Sequence, residues 1–185
     1  MELEEYKKIA LQRLNKSIAF DSKESMYYAC MGIMEETGEI IAEFRKPLFK
    51  GNFHEKTLDI EEIKSELGDL MWYISLVCKN ANIDMNQLKK HEEKDDGNLP
   101  KRERLIQISI KMGEDSGRIV EEYQRMFNDR TSNSQLKEKI EYQYGNICRL
   151  SEELGITIED ILKKNIGKVN SRYNEKGEVA REIDR

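Results

Sequence analysis

Glu36 and Glu39 stand three residues apart in Glu36-Thr37-Gly38-Glu39, and Glu66 and Asp69 repeat that spacing in Glu66-Leu67-Gly68-Asp69. On a helix, each pair falls on one face about one turn apart. A glycine directly precedes the second acid of each pair. Glycine inside a helix costs roughly 1 kcal/mol relative to alanine. Its matched placement therefore predicts two helices in close approach, with four carboxylates in the gap. Unpaired, those carboxylates would repel, so a divalent cation is their natural occupant. All-oxygen donors suit Mg²⁺, with Mn²⁺ as a substitute. No histidine stands at the Glu-x-x-His spacing of di-iron bundles, which disfavours that chemistry. Magnesium keeps positions open for water and phosphate oxygens, which points to a phosphorylated substrate. The glycine-rich patterns GxxxxGK[ST] and GxGxxG are absent, so metal and side chains must hold any nucleotide.

Spacing alone does not single these acids out, because Glu2 with Glu5 and Glu138 with Glu141 repeat it. What differs is the surroundings. Ile40, Ile41, Leu67, Leu70, Met71 and Trp72 flank the two pairs, and carboxylates beside an apolar stripe are costly unless paired or metal-bound.

The elements that must position these acids are helices. Leu3, Tyr6, Ile9, Ala10 and Leu14 recur at helical spacing and predict a first helix over about 2–16. A second is expected over about 22–46, stopping before Pro47, and a third over 58–81. Asp84 and Gln87 open a short fourth helix by an N-capping pattern. Three more are expected over 101–128, 134–154 and 158–173, the last capped by Thr157 and Asp160. No strand-like alternation exceeds about four residues, so the fold class is all-α.

The 185 residues are 36% charged and 38% hydrophobic, with a mean hydropathy of -0.77. Periodic apolar residues in so polar a chain mean thin helical layers with solvated outer faces. The net charge of -5 argues against a nucleic-acid partner. No apolar run approaches the roughly 20 residues that span a bilayer, so no membrane partner is expected. Cys30, Cys78 and Cys148 form no CxxC pair and read as reduced core thiols of a cytoplasmic protein. The N-terminus lacks the basic-then-apolar layout of a signal peptide.

The two halves read as an internal repeat. Glu35-Glu36-Thr37-Gly38-Glu39-Ile40-Ile41 aligns with Glu114-Asp115-Ser116-Gly117-Arg118-Ile119-Val120, and Ile83-Asp84-Met85 with Ile156-Thr157-Ile158. Repeat halves pack on each other because neither buries its apolar face alone. Arg118 falls at the position of Glu39. Carrying the Ile83–Ile156 register back places Lys139 and Tyr142 opposite Glu66 and Asp69. Pairing Gly68 with Gly145 places Gln143 and Asn146 there instead. Neither register restores a second acidic pair, so one metal site is expected, in the N-terminal half.

Met31-Gly32, Glu36-Thr37-Gly38-Glu39, Arg45-Lys46-Pro47-Leu48-Phe49-Lys50-Gly51 and Glu66-Leu67-Gly68-Asp69-Leu70-Met71-Trp72-Tyr73 together resemble the MazG-like all-α NTP pyrophosphatases. Asn165-Ile166-x-Lys168-x-x-x-Arg172-Tyr173 resembles the closing motif of that family. The resemblance covers about residues 5–90 and 156–175. It implies a four-helix-bundle architecture that dimerises, and Mg²⁺-dependent hydrolysis of nucleoside triphosphates to monophosphate and diphosphate. It would make Glu36, Glu39, Glu66 and Asp69 the metal ligands, with Glu35 orienting the attacking water. Lys46, Lys168 and Arg172 would contact phosphate, and Trp72 and Tyr73 would stack on the base.

In single-domain relatives the closing motif follows soon after the helix of the second acidic pair. Here residues 98–164 intervene. The chain thus resembles a tandem repeat forming an intramolecular pseudo-dimer. Residues 1–97 carry the intact acidic motifs, and 98–185 form a degenerate repeat with the closing motif. Asn165, Lys168 and Arg172 are then expected to reach across and complete the site beside Glu36 and Asp69. A homodimer of pseudo-dimers is a further assembly left open. Two other readings stand beside this one. One is a phosphoribosyl-ATP pyrophosphohydrolase, which shares the carboxylate logic. The other is a non-catalytic nucleotide- or metal-sensing helical interaction protein.

Overall fold

Helical periodicity carries through to six α-helices and one 3-10 turn, with no strand among the described residues. The computed structural model describes residues 1–12, 14, 22–49, 54, 57–91, 99–129 and 133–172. The helices are α1 (Leu3–Leu11), α2 (Lys23–Phe49), α3 (Ile60–Asn80), α4 (Lys101–Asp129), α5 (Ser134–Leu154) and α6 (Ile158–Arg172). Helix α2 packs between α3 and α4, and α4 packs on α5. Helix α6 lies on α3, and α1 bridges α3 and α6. Ile33, Ile40, Phe44, Leu67, Leu70, Ile74, Ile119 and Tyr123 lie in one continuous core. The proposed boundary between halves, at 97–98, lies outside the described residues. The three cysteines are free and buried. Burial pushes the thiols of Cys30 and Cys78 up to about 11 and about 12, which makes them poor nucleophiles.

Three local expectations are corrected. Helix α2 does not stop at Lys46 but runs through Pro47 to Phe49. Proline removes one donor and crowds the carbonyl four residues back, a cost confined here to the final turn. Leu48 is buried in the core, and its carbonyl accepts a 2.8 Å bond from Arg102 Nε, which holds that turn in place. After Asp84 there is only a 3-10 turn, Met85–Gln87, with the Asp84 carboxylate accepting from Asn86 N and Gln87 Nε2. The glycines of the two acidic motifs are not equivalent either. A methyl at Gly38 would meet nothing within 4 Å. One at Gly68 would stand 2.8 Å from Asn165 Cβ and 3.3 Å from the Ile161 carbonyl oxygen. The close approach is thus between α3 and α6, not between the two acidic helices.

Contacts between the halves fit the tandem-repeat reading. Helices α2 and α4 run antiparallel, with Leu48 beside Arg102 and Thr37 beside Ser116. Thr37 and Ser116, equivalent in the repeat alignment, share a buried 2.7 Å hydrogen bond. Equivalent residues meet in this way near a two-fold axis. Helices α3 and α5 end alike. Ile83 N donates to Cys78 O and Ile156 N to Ser151 O, around left-handed residues Asn82 (φ 53) and Gly155 (φ 69). Both are Schellman-type ends, using the two residue types that tolerate that conformation best. Gly68 and Gly145 also match, since Gly145 receives the His91 carbonyl as Gly68 receives α6. The glycines and the helix ends therefore fit different offsets, four residues apart. That is about one helical turn, so the buried faces stay aligned.

The glycines give a direct test. Gly68→Ala should lower stability by about 1–3 kcal/mol, the usual cost of overpacking. Gly38→Ala should raise it by up to about 1 kcal/mol through helix propensity. Thermal unfolding followed by circular dichroism measures both, and equal melting temperatures would contradict the packing described.

Candidate metal centre

Helices α2 and α3 pack side by side and bring Glu36, Glu39 and Glu66 together. Each of the three offers a carboxylate oxygen within 4.8 Å of the others. Glu36 and Glu66 are buried, and Glu39 faces solvent. Glu36 Oε2 is buried with no hydrogen-bond partner among the described residues. Burial, reinforced by the charge of Asp69, pushes the Glu36 carboxyl up to about 7. Burial pushes Glu66 to about 9, with Glu62 and Glu36 close enough to share a proton and add to the rise. Burial and neighbouring carboxylates both favour the protonated form, which is why the two values rise together.

Asp69 lies one turn beyond Glu66 and is engaged differently. Its Oδ1 accepts from Asn165 Nδ2 at 2.7 Å, and its Oδ2 is in contact with the Lys168 ammonium. Lys168 also donates to Ser65 Oγ at 3.0 Å. Asn165 is fixed in turn by the buried Tyr6 hydroxyl, which donates to its Oδ1 at 2.7 Å. Burial, then the Asp69 charge, raises the Tyr6 hydroxyl well above the ordinary tyrosine value. Residues from the closing motif thus stand against the second acidic pair, across about 100 residues of sequence. The Arg172 side chain and Tyr173 lie outside the described residues, as do Lys50 and Gly51.

Other sequence candidates fall around this cluster. Glu35 is exposed on α2, and its charge reaches the Tyr73 hydroxyl. Trp72 and Tyr73 are half-buried and form an aromatic group with Tyr28. Ring centroids are 5.0 Å apart for Trp72 and Tyr73, 5.6 Å for Tyr28 and Tyr73, and 6.2 Å for Tyr28 and Trp72. The Trp72 indole N–H donates to the Ala10 carbonyl at 3.0 Å. The Tyr73 ring lies where a Gly32 side chain would be. Lys46 is exposed on α2, two turns beyond Glu39 and hence about 10 Å along the axis. Sequence reasoning missed Tyr6, Tyr28, Glu62 and Ser65. Of these only Glu62 carried a signal, since it stands four residues before Glu66 on the same helical face.

The corresponding place in the second half is filled from within. Asp115 accepts from Arg118 Nη1 and from Asn146 Nδ2, both at 2.8 Å, and Gln143 donates to Ser116 at 3.0 Å. These contacts fit the register that sets Gln143 and Asn146 opposite Glu66 and Asp69.

Residues 25–92 match the MazG nucleotide pyrophosphohydrolase domain, and this segment holds α3, nearly all of α2 and every member of the acidic cluster. The all-α fold agrees with that superfamily. A curated relative, the Gene 37 protein of Mycobacterium phage L5, is 30% identical over 63 residues. That stretch is 34% of this chain, which spans only 55% of that relative's length. No solved structure matches the chain. Among the described residues no helix is long and apolar enough to cross a membrane.

The raised carboxyls have a consequence for stability. From about pH 4.5 to pH 9 the folded chain binds more protons at Glu36 and Glu66 than the unfolded chain does. Stability must then fall as pH rises through that window. Without divalent metal, the melting temperature should decline between pH 5 and pH 9. Glu66→Gln should flatten the decline, and added Mg²⁺ should offset it most at high pH. A metal-free melting temperature that rises over this range would contradict the cluster.

Proposed function

We propose that this chain is a Mg²⁺-dependent nucleoside triphosphate pyrophosphohydrolase, cutting between the α- and β-phosphorus to leave a monophosphate and diphosphate. One observation carries the reading: three glutamates converge, with a buried partnerless oxygen, inside the segment that matches the MazG domain. The donors fit a hard divalent cation. They are all carboxylate oxygens, and one of them, Glu36 Oε2, is buried without a hydrogen-bond partner among the described residues. Glu36, Glu39 and Glu66 would hold the ion, with Asp69 as a further ligand. When bound, it supplies neutralisation of the charge gathering on the triphosphate and on the departing diphosphate.

The chain's own groups account for the rest. Glu35, exposed beside the cluster, orients the water that attacks the α-phosphorus and takes up its proton. Lys168 and Asn165 stand at the cluster's edge as donors for phosphate oxygens, and Lys46, exposed on α2, and Arg172 of the closing motif would supply further phosphate contacts. Tyr28, Trp72 and Tyr73 offer ring surface next to the acids, and a nucleobase can stack there while the phosphates lie on the carboxylate side.

The test is a panel of NTPs and dNTPs with Mg²⁺, read by detection of diphosphate and of the monophosphate. Diphosphate should form and orthophosphate should not. Glu66→Gln should lower turnover by at least about a hundredfold, the scale of losing a group that stabilises transition-state charge. Orthophosphate as the phosphorus product, or a fully active Glu66→Gln variant, would overturn the assignment.

A further inference from the structure

Both oxygens of Asp69 are already occupied from α6, one by the Asn165 amide and the other by the Lys168 ammonium. Glu36 Oε2, by contrast, is buried without a hydrogen-bond partner among the described residues. Lys168 is half-buried and held by Ser65 as well as Asp69. Its charge reaches Glu36 and Glu66. This ammonium therefore acts on the acidic gap as a whole.

We propose that Lys168 is a built-in counter-ion that must leave Asp69 before a divalent cation can use all four acids, and that the incoming triphosphate is what draws it away. This rests on the proposed metal-dependent hydrolysis and adds an order of events to it. An ammonium and a divalent ion cannot share Asp69 Oδ2 without strong repulsion. Three glutamates give the cation a first, weaker seat. A triphosphate then offers Lys168 a new anionic partner within reach of its flexible four-carbon stem. Release of Asp69 adds the fourth ligand. Metal and nucleotide thereby strengthen each other's binding, since coupling between two ligands is reciprocal. Asn165, pinned by Tyr6, stays with Asp69 and keeps its carboxylate aimed into the gap.

Mn²⁺ binding without nucleotide tests this, read by calorimetry or by the paramagnetic resonance of the free ion. The full-length wild type, Lys168→Met and Lys168→Arg are compared, with helical content checked by circular dichroism. Lys168→Met should bind Mn²⁺ at least about fivefold more tightly than wild type, the low end of typical site-to-site coupling. Lys168→Arg keeps the charge and should stay near wild type. Equal or weaker binding by Lys168→Met, or equal tightening by both variants, overturns the counter-ion role. If wild type binds Mn²⁺ and hydrolyses nucleotide in that case, the proposed function stands and only this inference falls. If no form binds Mn²⁺, both fall together.

Discussion

At Gly68 the backbone of α3 comes so close to α6 that no side chain fits between them. The engagement of Asp69 by α6 depends on that contact. It seats Asn165 and Lys168 against Asp69. The same contact brings the Asn165 amide within reach of Tyr6 on α1, so three helices converge on one carboxylate. The glycine's cost in helix propensity is modest, roughly 1 kcal/mol. What it permits is a set of charge-assisted bonds between segments about 100 residues apart in sequence.

The cluster itself works against the fold. Glu36 and Glu66 are buried beside other carboxylates, and burial raises the proton affinity of both. The surrounding core supports that arrangement, with Ile33, Ile40, Leu67 and Leu70 fully buried on the same two helices. Such local cost at a site, held by sound packing elsewhere, is how functional groups are usually kept in place.

Helix existence and most boundaries were legible because periodicity and capping are local. Helix α5 begins and ends where its pattern does, and Thr157 with Asp160 forms the expected reciprocal cap on α6. The acids were legible too, since their spacing sets them on one helical face beside apolar residues. What depends on a distant partner was not. Pro47 stays helical because Leu48 is anchored in the core and Arg102 holds its carbonyl. Gly38 and Gly68 have the same local context, and only the docking of α6 separates them. Tyr6 gave no chemical signal, because its role exists only once α1, α3 and α6 meet. The two repeat registers show only in tertiary contacts, the left-handed helix ends fitting one offset and the glycine contacts the other.

Arg118 bears on how such a chain can change. It sits on Asp115, where the repeat alignment places a counterpart of the acidic pair. In an assembly of two identical subunits, any codon change appears on both sides of the axis, so an arginine at that position would remove both centres at once. On the tandem-repeat reading, this chain writes the two sides separately. One side can then trade an acid for a fixed positive charge while the other keeps its carboxylates. Asymmetry of this kind is open to a fused gene and closed to a homodimer.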